Sequence, residues 1–197
     1  GDLKPVDYVL TTRELVLMLK KRNINLNKMA SSKCDEPLGA PSGAGVIYGA
    51  SGGVMESALR MAFWQAENKI LPKIIYEQVR GQEQIKKATI EIKGKKIKMA
   101  TVSGTGAAKE ILDELKQNPN TYSCVEVMAC PGGCVGGGGQ PLPTDKFIRA
   151  ERAKGLYVID EKNTLKIPSE NPIVKKIYAS FLKNKEIRKQ ICQASYN

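Results

Sequence analysis

"KKATIEIKGKKIKMATVSGTGAAKEILDELKQNPNTYSCVEVMA" occupies residues 86–129, and the class of the fold is read from it. Two alternating runs flank "KGKK" (93–96), the pattern of strand, turn and strand. The second run enters "GTGAAKEILDELKQNP", a helix that stops near Pro119. "SCVEVMA" (123–129) then returns to strand. Strands alternating with helices imply an α/β layer architecture, here a largely parallel sheet flanked by helices with a helical C-terminal part.

Upstream, "VDYVL" (6–10) reads as a short strand. Thr11, three residues before Glu14, makes a capping box for a helix running to about Arg22, with Leu15, Met18 and Leu19 on one face. Residues 23–54 form a long loop-like stretch with two Pro and six Gly, a length that is usually functional when the loop is ordered. It leads into a helix over "SGGVMESALRMAFWQAENKI" (51–70). Val54, Ala58, Met61 and Ala62 share one face of that helix, Glu56, Arg60 and Glu67 lie elsewhere, and Ser51 is placed to cap it. Downstream, residues 145–163 and 171–192 read as helical, broken at Pro141, Pro143, Pro168 and Pro172. The chain therefore reads as one partial domain over 1–197, with a Cys/Gly-rich loop at 123–144 and a helical tail at 145–197.

Composition narrows the chemistry. Lys and Arg outnumber Asp and Glu by 31 to 20, a net charge of +11, which suits an acidic partner. Aromatic residues are only 6%, too few to stack on single-stranded bases, so no nucleic-acid partner is expected. No apolar run approaches the roughly 20 residues that cross a bilayer, so no membrane span is expected. The sequence contains no histidine, which removes imidazole bases, Ser-His and Cys-His pairs, and every imidazole metal site. Five cysteines, unevenly spaced, fit a reducing compartment and a cytoplasmic location better than a disulfide framework. Gly1 as first residue reads as a tag remnant or as a piece of something longer.

Three glycine-rich stretches compete as sites. "GTGAAK" (104–109) has the spacing of a dinucleotide turn, with Glu126 the acidic residue at the right count, but reads better as a tight strand-to-helix turn. "PSGAGVIYGASGG" (41–53) lacks the lysine of a phosphate loop and reads as backbone brought close to a bound object. "CVEVMACPGGCVGGGGQP" (124–141) carries three cysteines and six glycines. Cys130 and Cys134 in C-x₃-C spacing can ligate neighbouring irons, with glycine amides aimed at the sulfides. On spacing alone an iron–sulfur cluster, a buried pair or disulfide, and zinc all stay open.

"EVMACPGGCVGGGGQP" (126–141) resembles the third signature of iron-only ([FeFe]) hydrogenases, E-x-M-A-C-P-G-G-C-x-x-G-G-G-Q-P. "DEPLGAPSGAGVIYGASGGVMESALR" (35–60), "VDYVLTTRELVLMLK" and "SENPIVKKIYASFL" are similar to further segments of the same catalytic domain. The resemblance implies one lobe of that domain, and interconversion of protons and electrons with hydrogen at an H-cluster, a [4Fe–4S] cubane joined to a two-iron centre. It further implies that Cys130 ligates the cubane and Cys134 bridges to the two-iron centre, with Gly132 and Gly133 between them. Met128 would wall the two-iron centre, and Ser42 with the Gly43–Gly45 backbone would line the opposite side.

The family's other two cluster cysteines lie in signatures T-S-C-C-P and M-P-C-x-x-K, and neither is in this sequence. Cys34 stands where the family commonly has an aromatic residue. The expectation is a C-terminal half that supplies two of four ligands, holds no H-cluster alone and pairs with an N-terminal half carrying the rest. Electrons would come from a ferredoxin-like carrier, and uncovered apolar surface would favour self-association. A family of iron–sulfur assembly and nuclear-prelamin-binding proteins shares part of the pattern, so a non-catalytic scaffold is the second expectation.

Overall fold

The computed structural model describes residues 6–33, 35, 38–72 and 79–192; Cys34 lies outside them. The sheet is β1 (Ile85–Ile92), β2 (Lys95–Ser103) and β3 (Cys124–Met128), in that spatial order. The β1–β2 pair is antiparallel, from Ile85 opposite Val102 to Ile92 opposite Lys95. β2 and β3 run parallel, from Met99 opposite Cys124 to Ser103 opposite Met128. The sheet is thus small and mixed rather than largely parallel. The cause is the two-residue turn at Lys93 and Gly94, both at positive φ (49° and 74°), which matches the twist of an antiparallel ribbon. The connection through helix α4 (Thr105–Gln117) is long enough to bring β3 back parallel.

Layering follows the period of two. On β1, Ala88, Ile90 and Ile92 turn inward with Met99 of β2, against Met55 and Leu59 of α3 (Gly53–Glu67). Ala100 and Val102 face the other way and pack on Ile111 of α4. Each face of the sheet therefore carries one helix, the α/β arrangement expected.

Several local expectations change. Residues 6–10 form no strand; Tyr8 and Val9 are 88% and 86% exposed. Helix α1 (Thr12–Lys21) has the expected capping box at Thr11 and Glu14, yet buries no residue. Its least exposed positions are Val16 and Leu19, not Leu15 and Met18. The cap position of helix α3 is Gly52, not Ser51, and the helix turns Met55, Glu56, Ser57, Leu59 and Arg60 inward, leaving Val54, Ala58 and Ala62 outside. The polar face is buried because partners wait for its charges. A four-residue helix, α2 (Gly43–Val46), precedes it. The tail is helical as expected and divided into α5 (Lys146–Lys162), α6 (Pro172–Ala179) and α7 (Lys185–Cys192). Among the described residues no helix is long and apolar enough to cross a membrane.

Candidate functional site

β3 ends where the thiols begin. Gly104 N–H donates to the Met128 carbonyl at 2.8 Å, pinning the strand end against the β2–α4 turn. The chain then coils through successive tight turns: Gly133 N–H to the Cys130 carbonyl, Gly136 to Gly133 and Gly137 to Cys134, each at 2.9 Å. Cys130 is half-buried and Cys134 exposed, and both are free thiols. At Gly133 φ is +89°, and a Cβ there would come within 2.6 Å of the Ser51 amide nitrogen and 2.9 Å of the Met128 sulfur. Only glycine accepts both the backbone angle and the contact. Gly133→Ala is expected to cost about 1–3 kcal/mol in strain and to lift the loop, read as faster proteolytic cleavage between residues 130 and 140 in a chain that still folds.

The loop is backed from four directions. Ser51 N–H donates to the Gly132 carbonyl at 2.9 Å, and Gly132 N–H donates to Ser103 Oγ at 3.1 Å. Arg13 reaches across from α1 to the carbonyls of Gly138 and Gln140 at 3.0 and 2.9 Å. Arg152 of α5 donates to the carbonyls of Val135 (3.0 Å) and Pro141 (2.7 Å), holding both limbs together. Behind Ser51 sits buried Lys86, whose ammonium donates to the Ser51 carbonyl at 3.0 Å, its hydroxyl at 3.3 Å and the Gly81 carbonyl at 3.3 Å. Burial pulls this ammonium below the ordinary lysine range, against the opposing pull of Glu126 and Glu83.

Glu126 resolves the capping of α3. Its buried carboxylate accepts from Gly52 N–H at 2.6 Å and Met55 N–H at 2.7 Å, satisfying first-turn amides and meeting the positive end of the helix dipole. This β3 side chain serves the start of α3, while "GTGAAK" makes the strand-to-helix turn into α4.

Gly132 and Gly133 thus lie against Ala50 and Ser51 with Met128 beside them, and Cys130 and Cys134 flank the two glycines in the same run of turns. Ser42, Gly43 and Gly45 are anchored elsewhere. The Ser42 hydroxyl accepts from Gly45 N–H at 3.3 Å as the cap of α2. Gly43 donates its N–H to the Leu165 carbonyl at 2.7 Å and lies against Asp160 of α5.

A buried charge network tethers these parts. Asp160, 2% exposed, accepts from Arg60 at 2.8 and 2.6 Å. Arg60 also pairs with fully buried Glu56, and Arg80 pairs with Glu56 at 2.8 Å and with Asp160 at 3.4 Å. Arg80 stacks 4.0 Å above the Tyr157 ring. Burial works against charge on Asp160, but hydrogen bonds and attraction from Arg60 outweigh it and hold the carboxyl below its ordinary range. Nothing in the sequence pattern pointed to this network, because Asp160 is 100 residues from Arg60.

The loop fits half of an iron–sulfur site. It offers two soft thiol ligands on a backbone nearly free of side chains. Among the described residues no group of three Cys, Asp or Glu side chains gathers to complete a metal site. The Nε of Arg149, buried without a hydrogen-bond partner, leaves a cationic donor beside the loop, which suits an anionic group.

The sequence profile described as "Iron only hydrogenase large subunit, C-terminal domain" matches residues 1–138, and that described as "Iron hydrogenase small subunit" matches 146–190. Iron hydrogenase 1 of Clostridium pasteurianum is 42% identical over 184 residues, covering 91% of this chain and 32% of that protein. The cytosolic Fe-S cluster assembly factor narfl of Xenopus tropicalis is 29% identical, covering 95% and 40%. Among solved structures, apo [FeFe]-hydrogenase HydA1 from Chlamydomonas reinhardtii superposes with a TM-score of 0.73 at 34% identity, covering 94% of this chain and 54% of that one. The chain therefore spans about a third of the curated hydrogenase and about half of the solved one.

Proposed function

Because the chain belongs to the iron-only hydrogenase large-subunit family, we propose that it supplies two of the four thiolates of an H-cluster and shapes one wall of its pocket. Cys130 would ligate the cubane and Cys134 would bridge to the two-iron centre. Bound there, the cluster supplies the redox chemistry that interconverts protons and electrons with hydrogen. This chain's own contribution is to bind and shield. The glycines keep side chains out of the space, Met128 adds a soft apolar wall, and Ser51 and Arg152 hold the loop. Ser42 with the Gly43–Gly45 backbone would line the far side. The observation that carries the reading is the coincidence of the two thiols with a loop whose Gly133 admits no Cβ.

The other two thiolates would come from a polypeptide stretch that docks on this one. The exposed apolar side chains of segment 6–10, of α1 (Leu15, Leu17, Met18) and of Val54 support such docking. The same surface favours self-association of the chain by itself, and acidic ferredoxin-type carriers suit its charge. The test is anaerobic reconstitution with iron and sulfide, with and without the polypeptide bearing the T-S-C-C-P and M-P-C-x-x-K signatures. A [4Fe–4S] absorption band is expected only with both parts, and Cys130→Ser or Cys134→Ser should reduce iron content at least tenfold. A stable, stoichiometric cluster on residues 1–197 alone overturns the half-site assignment.

A non-catalytic assembly role is the second reading, favoured by the likeness to the narfl factor. Hydrogen evolution by the reconstituted pair, once the two-iron centre is supplied, separates the two.

A further inference from the structure

We propose that Arg149 is a positioning residue for the cluster, its guanidinium offsetting the negative charge of the thiol loop and raising the reduction potential of the iron–sulfur group held there. The proposal rests on the hydrogenase reading above. Arg149 stands in the first turn of α5, and one terminal nitrogen, Nη1, donates to the Thr144 carbonyl at 3.0 Å. Its Nε–H is buried and makes no hydrogen bond. Orphaned buried donors are rare in native proteins and point to a group that the protein atoms do not supply.

The place of that donor is defined by two glycines. A Cβ on Gly136 would lie 2.5 Å from Arg149 Cδ, and a Cβ on Gly132 would lie 3.1 Å from Cδ and 3.3 Å from Nε. The aliphatic stem therefore fills the inside of the loop, and Nε sits beside Gly132, the residue midway in sequence between the two cysteines. Cys130 and Cys134 are each two residues from Gly132, so their Cα atoms lie within about 7.6 Å of its Cα, twice the step between consecutive residues. The guanidinium and the two thiol-bearing residues thus share one short loop, and charges that are partly buried there are screened little by salt. Gln82 Oε1, also buried without a partner, faces the same point at 3.0 Å from the Gly132 Cβ position. Arg13 and Arg152 also border the loop, but their guanidinium groups are committed to its carbonyls. Arg149 is the arginine of this set with an uncommitted buried N–H.

A fixed cation stabilises the more negative, reduced state, so its removal lowers the potential. The experiment is a redox titration, followed by electron paramagnetic resonance, of the cubane in the complete assembly. Wild type is compared with Arg149→Met, which keeps most of the stem, and with Arg149→Lys, which keeps the charge. The expected result for Arg149→Met is a tenfold fall in the reduced-to-oxidised ratio at fixed potential, about 59 mV for one electron. Arg149→Lys should recover most of it, with iron content equal in all three. A merely structural role would change cluster occupancy or melting temperature and leave the potential where it was. An unmoved potential in Arg149→Met, or an equal fall in Arg149→Lys, overturns the role of Arg149 alone. A wild-type assembly that binds no cluster overturns the hydrogenase reading and this proposal together.

Discussion

Asp160→Ala is expected to destabilise the fold by about 3–5 kcal/mol, the range for breaking a buried ion pair from one side. Arg60, 4% exposed, would keep its charge and lose two of its acceptors. It does not escape by shedding the proton. Burial favours loss of that proton, but the hydrogen bonds to Asp160 and the charges of Glu56 and Asp160 outweigh it and raise the pKa. Arg80 would lose its 3.4 Å contact as well. Urea unfolding at neutral pH measures the effect, and a change below about 1 kcal/mol would show that water or neighbours absorb the loss. The paired variant Arg60→Met with Asp160→Leu should recover much of the stability, because it leaves fewer unmatched charges.

The same pair makes an acid signature. The folded carboxyl of Asp160 lies below its ordinary range, so its contribution is fully present above the unfolded value, about 3.9, and fades as pH falls through the folded value. Wild type should therefore lose stability more steeply than Asp160→Asn below about pH 4.

Glu126→Ala is expected to cost about 2–4 kcal/mol, since two buried amides, those of Gly52 and Met55, lose their acceptor together. Glu126→Gln, with one acceptor oxygen left and a donor where an acceptor stood, should lose at least half as much. The damage should reach the thiol loop, because Gly52 follows Ser51, whose N–H holds the Gly132 carbonyl. Cleavage by protease between residues 130 and 140 should quicken in step with the loss of stability. A stable Glu126→Ala protein with an unchanged loop would show that the carboxylate caps α3 without tying the two segments.

Both predictions concern side chains that sequence reading valued least. Local periodicity was enough for the hairpin at Lys93–Gly94, for α4 and for the capping box at Thr11, since each is built from neighbours in sequence. The thiol motif was legible because two glycines lie between its cysteines and four more follow them, a pattern with few structural uses. α3 was misread because a helix face was judged by its own residues. Glu56 and Arg60 look like a solvent face until Asp160, far along the chain, arrives to neutralise them. Ser51 looked like a cap for the same reason, while the oxygen that caps α3 comes from β3. Segment 6–10 has the composition of a strand and no partner strand among the described residues.

The arginines that grip the thiol loop also set an order in time. A chain emerging from the ribosome folds from its N-terminal side, and the β1–β2 hairpin closes on local contacts alone. Cys130 and Cys134 leave the tunnel before the residues of α5 do. For that interval the cysteines ride on an untethered ribbon, held at most from the Arg13 and Ser51 side. Arg152 joins the two limbs only once α5 has emerged and folded back against them. The thiol loop is therefore tethered on its second side only when α5 docks, well after the hairpin that precedes it has closed.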